Sequence, residues 1–142
     1  MPLNVRQAVY DDLGAINGIY NQAVDTRGCT ADIRHMDDDA RIRWFVEHDP
    51  AKYPVLAAEL GGSVVGWISL SPYGKGREGL KRTVEISYYV HKEHQRQGVG
   101  TAMMRAMLAR AKELGYANII AILFDTNEGS IRLLEKFGFE RW

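Results

Sequence analysis

The sequence predicts a single α/β domain, built as one mixed β-sheet with helices packed on its faces. The 142 residues are 46% hydrophobic, which suits one compact core and indicates one domain over residues 1–142. Short segments with alternating apolar residues are interspersed with segments of helical periodicity, in the order β-α-α-β-β-β-α-β-α. A two-glycine turn, Gly61-Gly62, separates two apolar strands within residues 54–70, as in a β-hairpin. Together these observations indicate a mixed sheet with helices on its faces.

The N-terminal half is predicted to contain a strand and two helices before the hairpin. Residues 3–9 alternate apolar and polar side chains, which is typical of a strand. Asp11 or Asp12 can cap the first helix. The second helix lies in "DDDARIRWFVEHD", with acidic residues at its positive end. The expected buried positions of the first helix are Leu13, Ile16, Ile19, Tyr20 and Val24, and those of the second are Ile42, Phe45 and Val46.

The C-terminal half is predicted as strand, helix, strand and helix. "RTVEISYYVH" is rich in β-branched and aromatic residues, a helix follows over about 98–114, and Gly115 ends it. "ANIIAILF" is expected to be a buried strand and "NEGSIRLLEKF" a final helix. Strand alternation should place Thr83, Glu85, Ser87 and Tyr89 on one side of the sheet, and Val84, Ile86, Tyr88 and Val90 on the other.

Charge and composition argue against several classes of partner. Lys+Arg and Asp+Glu both number 18, so the formal net charge is zero and nothing indicates nucleic acid or an anionic membrane. No apolar run approaches the roughly 20 residues that span a bilayer, and the N-terminus does not resemble a signal peptide. We therefore expect a cytoplasmic protein. The single cysteine, Cys29, excludes an internal disulfide, and His91 and His94 lack an evident third ligand, so no metal is expected.

The segment "HQRQGVGTAMMRAM" places two glycines at a joint between a strand and a helix. Helix N-termini offer unpaired amide donors and a partial positive charge, and glycine allows a ligand to approach them closely. Gln95, Arg96 and Gln97 add polar groups beside this joint, a combination that fits a diphosphate. The spacing is neither Gly-x-Gly-x-x-Gly nor a P-loop. Glycines that serve turn geometry alone are the alternative for this segment taken by itself.

The same residues carry a resemblance to a known family. "QRQGVG" after "SYYV" resembles the Gln/Arg-x-x-Gly-x-Gly/Ala signature of the GNAT superfamily of N-acetyltransferases, and "NEGSIRLLEKFGF" resembles the superfamily's Asn-x-x-Ser/Ala…Lys-x-Gly-Phe helix. The segments "IYNQAV", "RWF", "YPVLAAELGGSVVGWISLSPY" and "RTVEISYYV" are similar, in the same order, to phosphinothricin and methionine sulfoximine N-acetyltransferases. The resemblance spans nearly the whole chain.

The resemblance implies a GNAT-like fold and transfer of an acetyl group from acetyl-CoA to the primary amine of a small amino acid or analogue, directly within a ternary complex. Glu85 would act as general base, and the Val90 amide would polarise the thioester carbonyl. The implied cofactor-binding residues are Tyr88, Tyr89, Val90, Gln95, Arg96, Gln97, Gly98, Val99, Gly100, Thr101, Asn127 and Ser130. The implied substrate-binding residues are Tyr73, Lys75, Arg77, Glu85 and Ser87.

Glu85 and the basic loop also have plainer interpretations. A carboxylate on an apolar strand is costly unless it is paired or functional, and partial burial would raise its pKa toward that of a useful base. An ion pair with a neighbouring arginine is the alternative for Glu85. Lys75 and Arg77 suit the carboxylate or phosphinate of a small acid, and a solvated basic loop is their alternative.

Two departures from the family pattern leave other functions open. Many GNAT enzymes carry a tyrosine, and the phosphinothricin type commonly a histidine, seven residues after the asparagine of the last helix, where a proton donor serves the CoA sulfur. Here that position is Leu134. The family also usually continues after "GFE" with further strands, which often build the dimer, whereas this sequence stops at Trp142. A homodimer is a further expectation from the resemblance. The alternatives are a protein N-terminal, lysine or polyamine acetyltransferase, or a non-catalytic CoA-binding module.

Overall fold

A computed structural model of the chain describes residues 2–26, 35–73, 82–122 and 128–140. Its five strands form one sheet in the order β1-β2-β3-β4-β5, with β1 to β4 antiparallel and β5 parallel to β4. The strands are β1 (Leu3–Gln7), β2 (Val55–Leu60), β3 (Ser63–Pro72), β4 (Thr83–Val90) and β5 (Asn118–Ile120). The helices are α1 (Leu13–Thr26), α2 (Asp38–Glu47), α3 (Val99–Glu113) and α4 (Glu128–Lys136). This arrangement confirms the mixed α/β fold and the predicted element order.

The helices cover the two faces of the sheet with separate apolar clusters. The cluster on one face joins α3 and α4 to Ile68, Leu70, Val84 and Ile86, and Tyr88 and Val90 pack against it. The cluster on the other face joins α1 to Val55, Ala57 and Trp67, and Tyr89 packs against that one. The alternation predicted for β4 is therefore confirmed. Alternate side chains of β4 therefore face α3 and α4 on one side of the sheet and α1 on the other.

The predicted hairpin and first helix are both present. Gly61 and Gly62 connect β2 to β3 with φ of 59° and 85°, a left-handed conformation that glycine adopts without steric cost. All five apolar positions predicted for α1 are buried. A 3-10 turn, Tyr10–Asp12, precedes that helix, and the Asp12 carboxylate accepts hydrogen bonds from the Val9 amide and the Arg6 guanidinium.

The prediction that Val46 lies on the buried side of α2 is wrong, because this side chain is 77% exposed. Arg41 occupies the buried face of α2 instead and is only 2% exposed. Its guanidinium lies over the rings of Tyr20, Trp44 and Trp67 at 4.7, 4.6 and 5.3 Å, and its Nε donates to Asn17 Oδ1 at 3.1 Å. Aromatic faces attract a desolvated cation, so this arginine orients the helix more strongly than a small valine does.

The prediction of a buried strand over "ANIIAILF" is also wrong in part. Among the described residues 117–122 pairing covers only Asn118–Ile120, Asn118 is exposed, and Ile122 is 68% exposed; Leu123 and Phe124 lie outside the described residues. The reason is its place in the sheet: within the described residues β5 pairs with β4 alone and forms the sheet edge. In the part of the chain that the structure describes, no helix is long and apolar enough to cross a membrane.

Candidate active site

Strand β4 loses its partner on one side at about its midpoint. Pairing with β5 is confined to Thr83–Glu85, whereas pairing with β3 continues to Val90. Among the described residues, therefore, nothing pairs with the second half of β4 on the β5 side. The two strands separate there and leave a gap beside β4.

The hydrogen-bond pattern shows which backbone groups face this gap. The amide of His91 donates to the carbonyl of Val65, and the amide of Leu70 donates away from β4, to Pro54. Because opposite residues of an antiparallel pair alternate between bonded and non-bonded positions, Val90, opposite Gly66, is a non-bonded position toward β3. Beyond the part of β4 that pairs with β5, the N–H and C=O groups of Tyr88 and Val90 consequently point toward the gap.

An open cleft of about 550 Å³ lies along this edge, between the C-terminal half of α1, the loop after β4 and helix α4. It brings together most of the predicted cofactor-binding residues: Tyr88, Tyr89, Val90, Gln95, Arg96, Gly98, Val99, Gly100, Thr101 and Ser130. Residues from β4, the following loop and α4 are separated in sequence, so their convergence is a property of the fold.

The loop entering α3 presents backbone donors to the cleft. Arg96 and Gly98 both have positive φ, of 63° and 84°, and Gly98 precedes α3 without a side-chain cap. The Ala102 amide donates to the Gly98 carbonyl at 3.0 Å, as expected for the first hydrogen bond of the helix. The amides of Val99, Gly100 and Thr101 thus belong to the uncapped first turn, where an anion is the natural partner.

Close packing holds this helix start in place. A Cβ on Gly100 would lie 3.1 Å from Cδ2 of Leu133, so the absence of a side chain lets α3 approach α4 closely. Val99 is buried against β3 and anchors the first turn in the core. The donors are therefore preorganised by the apolar interior behind them.

The cleft is strongly cationic although the protein has a formal net charge of zero. Lys92, Arg96, Arg132 and Lys136 line it, and no carboxylate does among the described lining residues. Three of these four cations, Lys92, Arg132 and Lys136, are not among the residues predicted from the sequence. Arg132 and Lys136 are four residues apart on α4, a spacing that is also typical of an ordinary solvated helix face. The charge distribution fits a polyanionic ligand.

Helix α1 forms the opposite wall, which no sequence motif indicates. Gln22, Ala23 and Thr26 line the cleft from this side. The Gln22 carboxamide oxygen accepts from the Lys92 amide at 3.1 Å, and its nitrogen lies 3.0 Å from Nε2 of His91. This side chain therefore ties α1 to the segment between β4 and the predicted anion-binding loop.

Glu85 and Ser87 lie on the face of β4 that carries α1 and α2, and their cross-strand partners on β3 are Ser71 and Ser69. Glu85 is half-buried, and burial raises the pKa of its carboxyl above the ordinary value. The carboxylate forms no ion pair with any side chain in residues 2–26, 35–73, 82–122 or 128–140. This removes the alternative of an arginine pair for the described part of the chain.

A buried histidine, His48, contacts the residue that pairs with Glu85 across the strands. His48 Nδ1 lies 2.7 Å from the Trp44 carbonyl and must donate, since a carbonyl only accepts. Its Nε2 lies 2.9 Å from Oγ of Ser71, the residue opposite Glu85. Burial lowers the pKa of His48, so the neutral ring is favoured and accepts the Ser71 hydroxyl proton.

The cleft side of β4 carries a second titratable group, Tyr88. Its hydroxyl forms a hydrogen bond with the Ser130 side chain of α4, and burial raises its pKa. Leu134, four residues further along α4, is 6% exposed and packs in the core cluster. The position where the family carries a proton donor is thus an apolar core contact in this chain.

The remaining predicted residues lie elsewhere. Gln97 does not line the cleft; its Oε1 accepts a hydrogen bond from His94 Nδ1 at 3.3 Å, which turns it toward the loop itself. Tyr73 follows the end of β3 and is half-buried outside the cleft. Lys75, Arg77 and Asn127 lie outside the described residues, as do Cys29 and Thr30. Among the described side chains, no group of three or more His, Cys, Asp or Glu could hold a metal ion.

Comparison with known proteins agrees with this geometry. The acetyltransferase (GNAT) family matches residues 16–139. An L-methionine sulfoximine/L-methionine sulfone acetyltransferase of Salmonella typhimurium is 34% identical over 137 residues, covering 96% of this chain and 80% of that protein.

Two solved structures share the fold. A GNAT superfamily phosphinothricin acetyltransferase from Sinorhizobium meliloti, in complex with acetyl-CoA, superimposes with a TM-score of 0.93 at 28% identity, covering 99% of this chain and 76% of that one. A ribosomal-protein-alanine N-acetyltransferase from Brucella melitensis has a TM-score of 0.92 at 31% identity, with coverage of 96% and 84%. The chain belongs to the acetyltransferase (GNAT) family.

Proposed function

We propose that this enzyme transfers the acetyl group of acetyl-CoA to the primary amine of a small amino acid or amino-acid analogue of the phosphinothricin or methionine sulfoximine type. The observation that carries the proposal is the cationic cleft at the unpaired edge of β4. The same strand bears Glu85, whose carboxyl pKa is raised by burial. The similarity to the Salmonella methionine sulfoximine acetyltransferase supports this substrate class.

The cleft suits each part of acetyl-CoA. The diphosphate would accept hydrogen bonds from the first-turn amides of α3, next to Arg96. The pantetheine would lie along β4 as an added strand and use the backbone groups of Tyr88 and Val90 that point into the gap. The Val90 N–H would polarise the thioester carbonyl, because its direction follows from the pairing with β3.

Acetyl transfer then requires a neutral amine and a place for its proton. The amine nitrogen attacks the thioester carbon, a C–N bond forms and the C–S bond breaks. Glu85 accepts the proton from the amine, directly or through one water molecule. Its half-burial raises the pKa toward neutrality and so strengthens the carboxylate as a base, while Ser71 and His48 define the polar wall beside it.

A peptide acceptor is the second candidate. The ribosomal-protein-alanine N-acetyltransferase of Brucella melitensis has the same fold, and its name indicates a protein N-terminus as acceptor. A peptide needs an open groove on the α1 and α2 side, whereas a small acid needs a cation near its carboxylate or phosphinate. The loop with Lys75 and Arg77 could supply that cation, a role that stays a prediction.

The test is a thiol-release assay with acetyl-CoA and a panel of amines: methionine sulfoximine, phosphinothricin, glutamate-like acids, a polyamine and short peptides with N-terminal alanine. We expect the small acids to give the highest kcat/KM. Preference for a peptide would replace the small-acid proposal with the second candidate. Intact acetyl-CoA binding without transfer to any amine would indicate a non-catalytic binding module.

Replacement of Glu85 tests its proposed role as the base directly. Glu85→Gln should lower kcat/KM by about 10²- to 10⁴-fold with little change in acetyl-CoA affinity. In the unchanged enzyme the rate should rise with pH through the raised pKa of Glu85, because only the deprotonated carboxylate accepts a proton, and this limb should vanish in the variant. Glu135→Gln, at an exposed position of α4, is the matched control. An equal rate in Glu85→Gln would show that Glu85 is not the base.

A further inference from the structure

The departing sulfur of acetyl-CoA lacks a proton donor at the position where related enzymes carry one. Leu134 fills that position with a buried apolar side chain. A thiolate leaving into a partly enclosed cleft gains from protonation, because burial disfavours its charged form. Any replacement donor must reach the α4 side of the cleft.

Tyr88 meets that requirement through the geometry of β4 and α4. Its side chain projects from β4 toward the face covered by α3 and α4, and its hydroxyl is hydrogen-bonded to Ser130. Ser130 and Leu134 are four residues apart, so they lie on the same face of α4, one turn apart. Tyr88 and Ser130 both line the cleft. A hydroxyl from the strand thus reaches the helix face from which the family's donor would project.

Resting on the acetyl transfer proposed above, we propose that Tyr88 is the general acid that protonates the sulfur of CoA as the C–S bond breaks. The phenolic proton passes from Oη to sulfur, and the electron pair of the C–S bond becomes the S–H bond. The phenolate is reprotonated by water, and the proton that Glu85 took from the amine is released to solvent. Acetyl-CoA and an amine thereby give an N-acetylamine and CoA with no other reactant.

The positions of the two groups favour this division of roles. Glu85 and Tyr88 project from opposite faces of β4 and are three residues apart, which is about 10 Å along a strand. The amine therefore arrives on one side of the thioester while the proton donor stands on the other. At neutral pH the phenol retains its proton, since burial raises its pKa. A hydrogen bond donated by Ser130 lowers that pKa in part and leaves the phenolic O–H directed elsewhere.

The transient phenolate would form in a favourable electrostatic setting. Besides Tyr88 itself, the titratable and charged groups that line the cleft are Tyr89 from β4, Lys92, His94 and Arg96 from the loop after β4, and Arg132 and Lys136 from α4. Helix α1 contributes only uncharged side chains to the described lining: Gln22, Ala23 and Thr26. This cationic surround stabilises negative charge on either the phenol or the sulfur.

The Tyr88→Phe variant distinguishes a proton donor from a residue that only packs, because it removes the hydroxyl and keeps the ring. We expect kcat to fall about 100-fold while the dissociation constant of acetyl-CoA and the melting temperature stay close to those of the unchanged enzyme. Tyr10→Phe, which removes a hydroxyl from a 63% exposed tyrosine, is the control and should leave kcat unchanged. An unaltered kcat in Tyr88→Phe would overturn the proposal, and so would a loss confined to acetyl-CoA binding.

A measurement without turnover tests the same contact independently of the acceptor. The thiol of CoA bound to the enzyme can be titrated by the ultraviolet absorbance of its thiolate. A donor at Tyr88 stabilises that thiolate, so Tyr88→Phe should raise the pKa of the bound thiol, and both proteins retain the cations of the cleft. Identical titrations would refute the contact. A Tyr88-dependent shift in an enzyme that acetylates no amine would keep the contact and reject the proposed function.

A comparison of single and double variants tests whether Ser130 acts through Tyr88. If it acts through the phenol, Ser130→Ala should lower kcat several-fold in the unchanged enzyme and have no further effect in the Tyr88→Phe background. Equal losses in both backgrounds would show that Ser130 acts on acetyl-CoA independently of Tyr88 and would remove the hydrogen bond from the proposal's support.

Discussion

Gly66 connects the core to the cleft, and its replacement by alanine should damage both. This residue lies in β3 opposite Val90, and a Cβ there would stand 3.0 Å from Cγ1 of Val99, 3.1 Å from Sδ of Met103 and 3.1 Å from the carbonyl oxygen of Tyr89. The last of these is backbone and cannot rotate away. Overpacking of this kind costs roughly 1–3 kcal/mol. For a chain of this length, 2 kcal/mol corresponds to a fall in melting temperature of about 7 °C.

The same change should weaken acetyl-CoA binding, because Val99 opens α3 and Tyr89 belongs to the strand beside the gap. A displacement of a few tenths of an ångström at this point shifts the first-turn amides relative to β4. We expect the dissociation constant, measured by isothermal titration, to rise several-fold. The melting temperature is measured by calorimetry in the same preparation.

Gly18→Ala provides the matched control with the opposite sign. Gly18 lies in the interior of α1, is exposed, and a Cβ there would meet nothing within 4 Å. Alanine at such a site stabilises a helix by about 0.5–1 kcal/mol. The same added methyl group should therefore raise the melting temperature at one position and lower it at the other. A Gly66→Ala protein as stable as the unchanged one, with normal binding, would refute the packing argument.

Two further predictions concern charges on the α1 side. Arg41→Met should lower stability by about 2 kcal/mol in urea unfolding, because it removes a buried cation from three aromatic faces; an unchanged midpoint would contradict the cation–π interpretation. The Arg6 guanidinium holds the pKa of Asp12 below its usual value of about 3.9. The stability that this ion pair contributes is therefore complete above about pH 3.9 and is lost as the pH falls through the lower pKa of Asp12 in the folded state. Asp12→Asn should thus cost about 1–2 kcal/mol at pH 7, and the difference should close at acid pH; a constant difference across the titration would refute this assignment.

The sequence predicted most of the fold because its apolar periodicity is strong where packing decides the structure. Helix α1 shows all five of its predicted buried positions, and the hairpin turn needs the positive φ that two glycines provide. Helix α2 was harder, since a pattern of hydrophobicity cannot detect that a cation such as Arg41 is buried among aromatic rings. The pattern therefore predicts Val46 in the core, whereas this side chain is exposed.

The candidate site likewise contains residues that the sequence predicts and residues that only the tertiary structure brings together. The loop of Gln95 to Thr101 could be predicted, because its signal lies in contiguous residues. The hydroxyl of Tyr88 could not be placed from sequence, since its position depends on how α4 docks beside β4. Gln22 and the cations of α4 likewise join the cleft only through tertiary packing. The role of Lys75 and Arg77 and the formation of a homodimer stay predictions.

The gap beside β4 has a consequence for the protein's behaviour in solution. Within the described residues, the N–H and C=O groups of Tyr88 and Val90 have no strand partner on the β5 side, so they form an open strand edge. Such an edge is a template for intermolecular strand pairing and aggregation. A ligand lying along it would satisfy these groups and close the edge. On this basis we expect the ligand-free protein to be the form more prone to self-association.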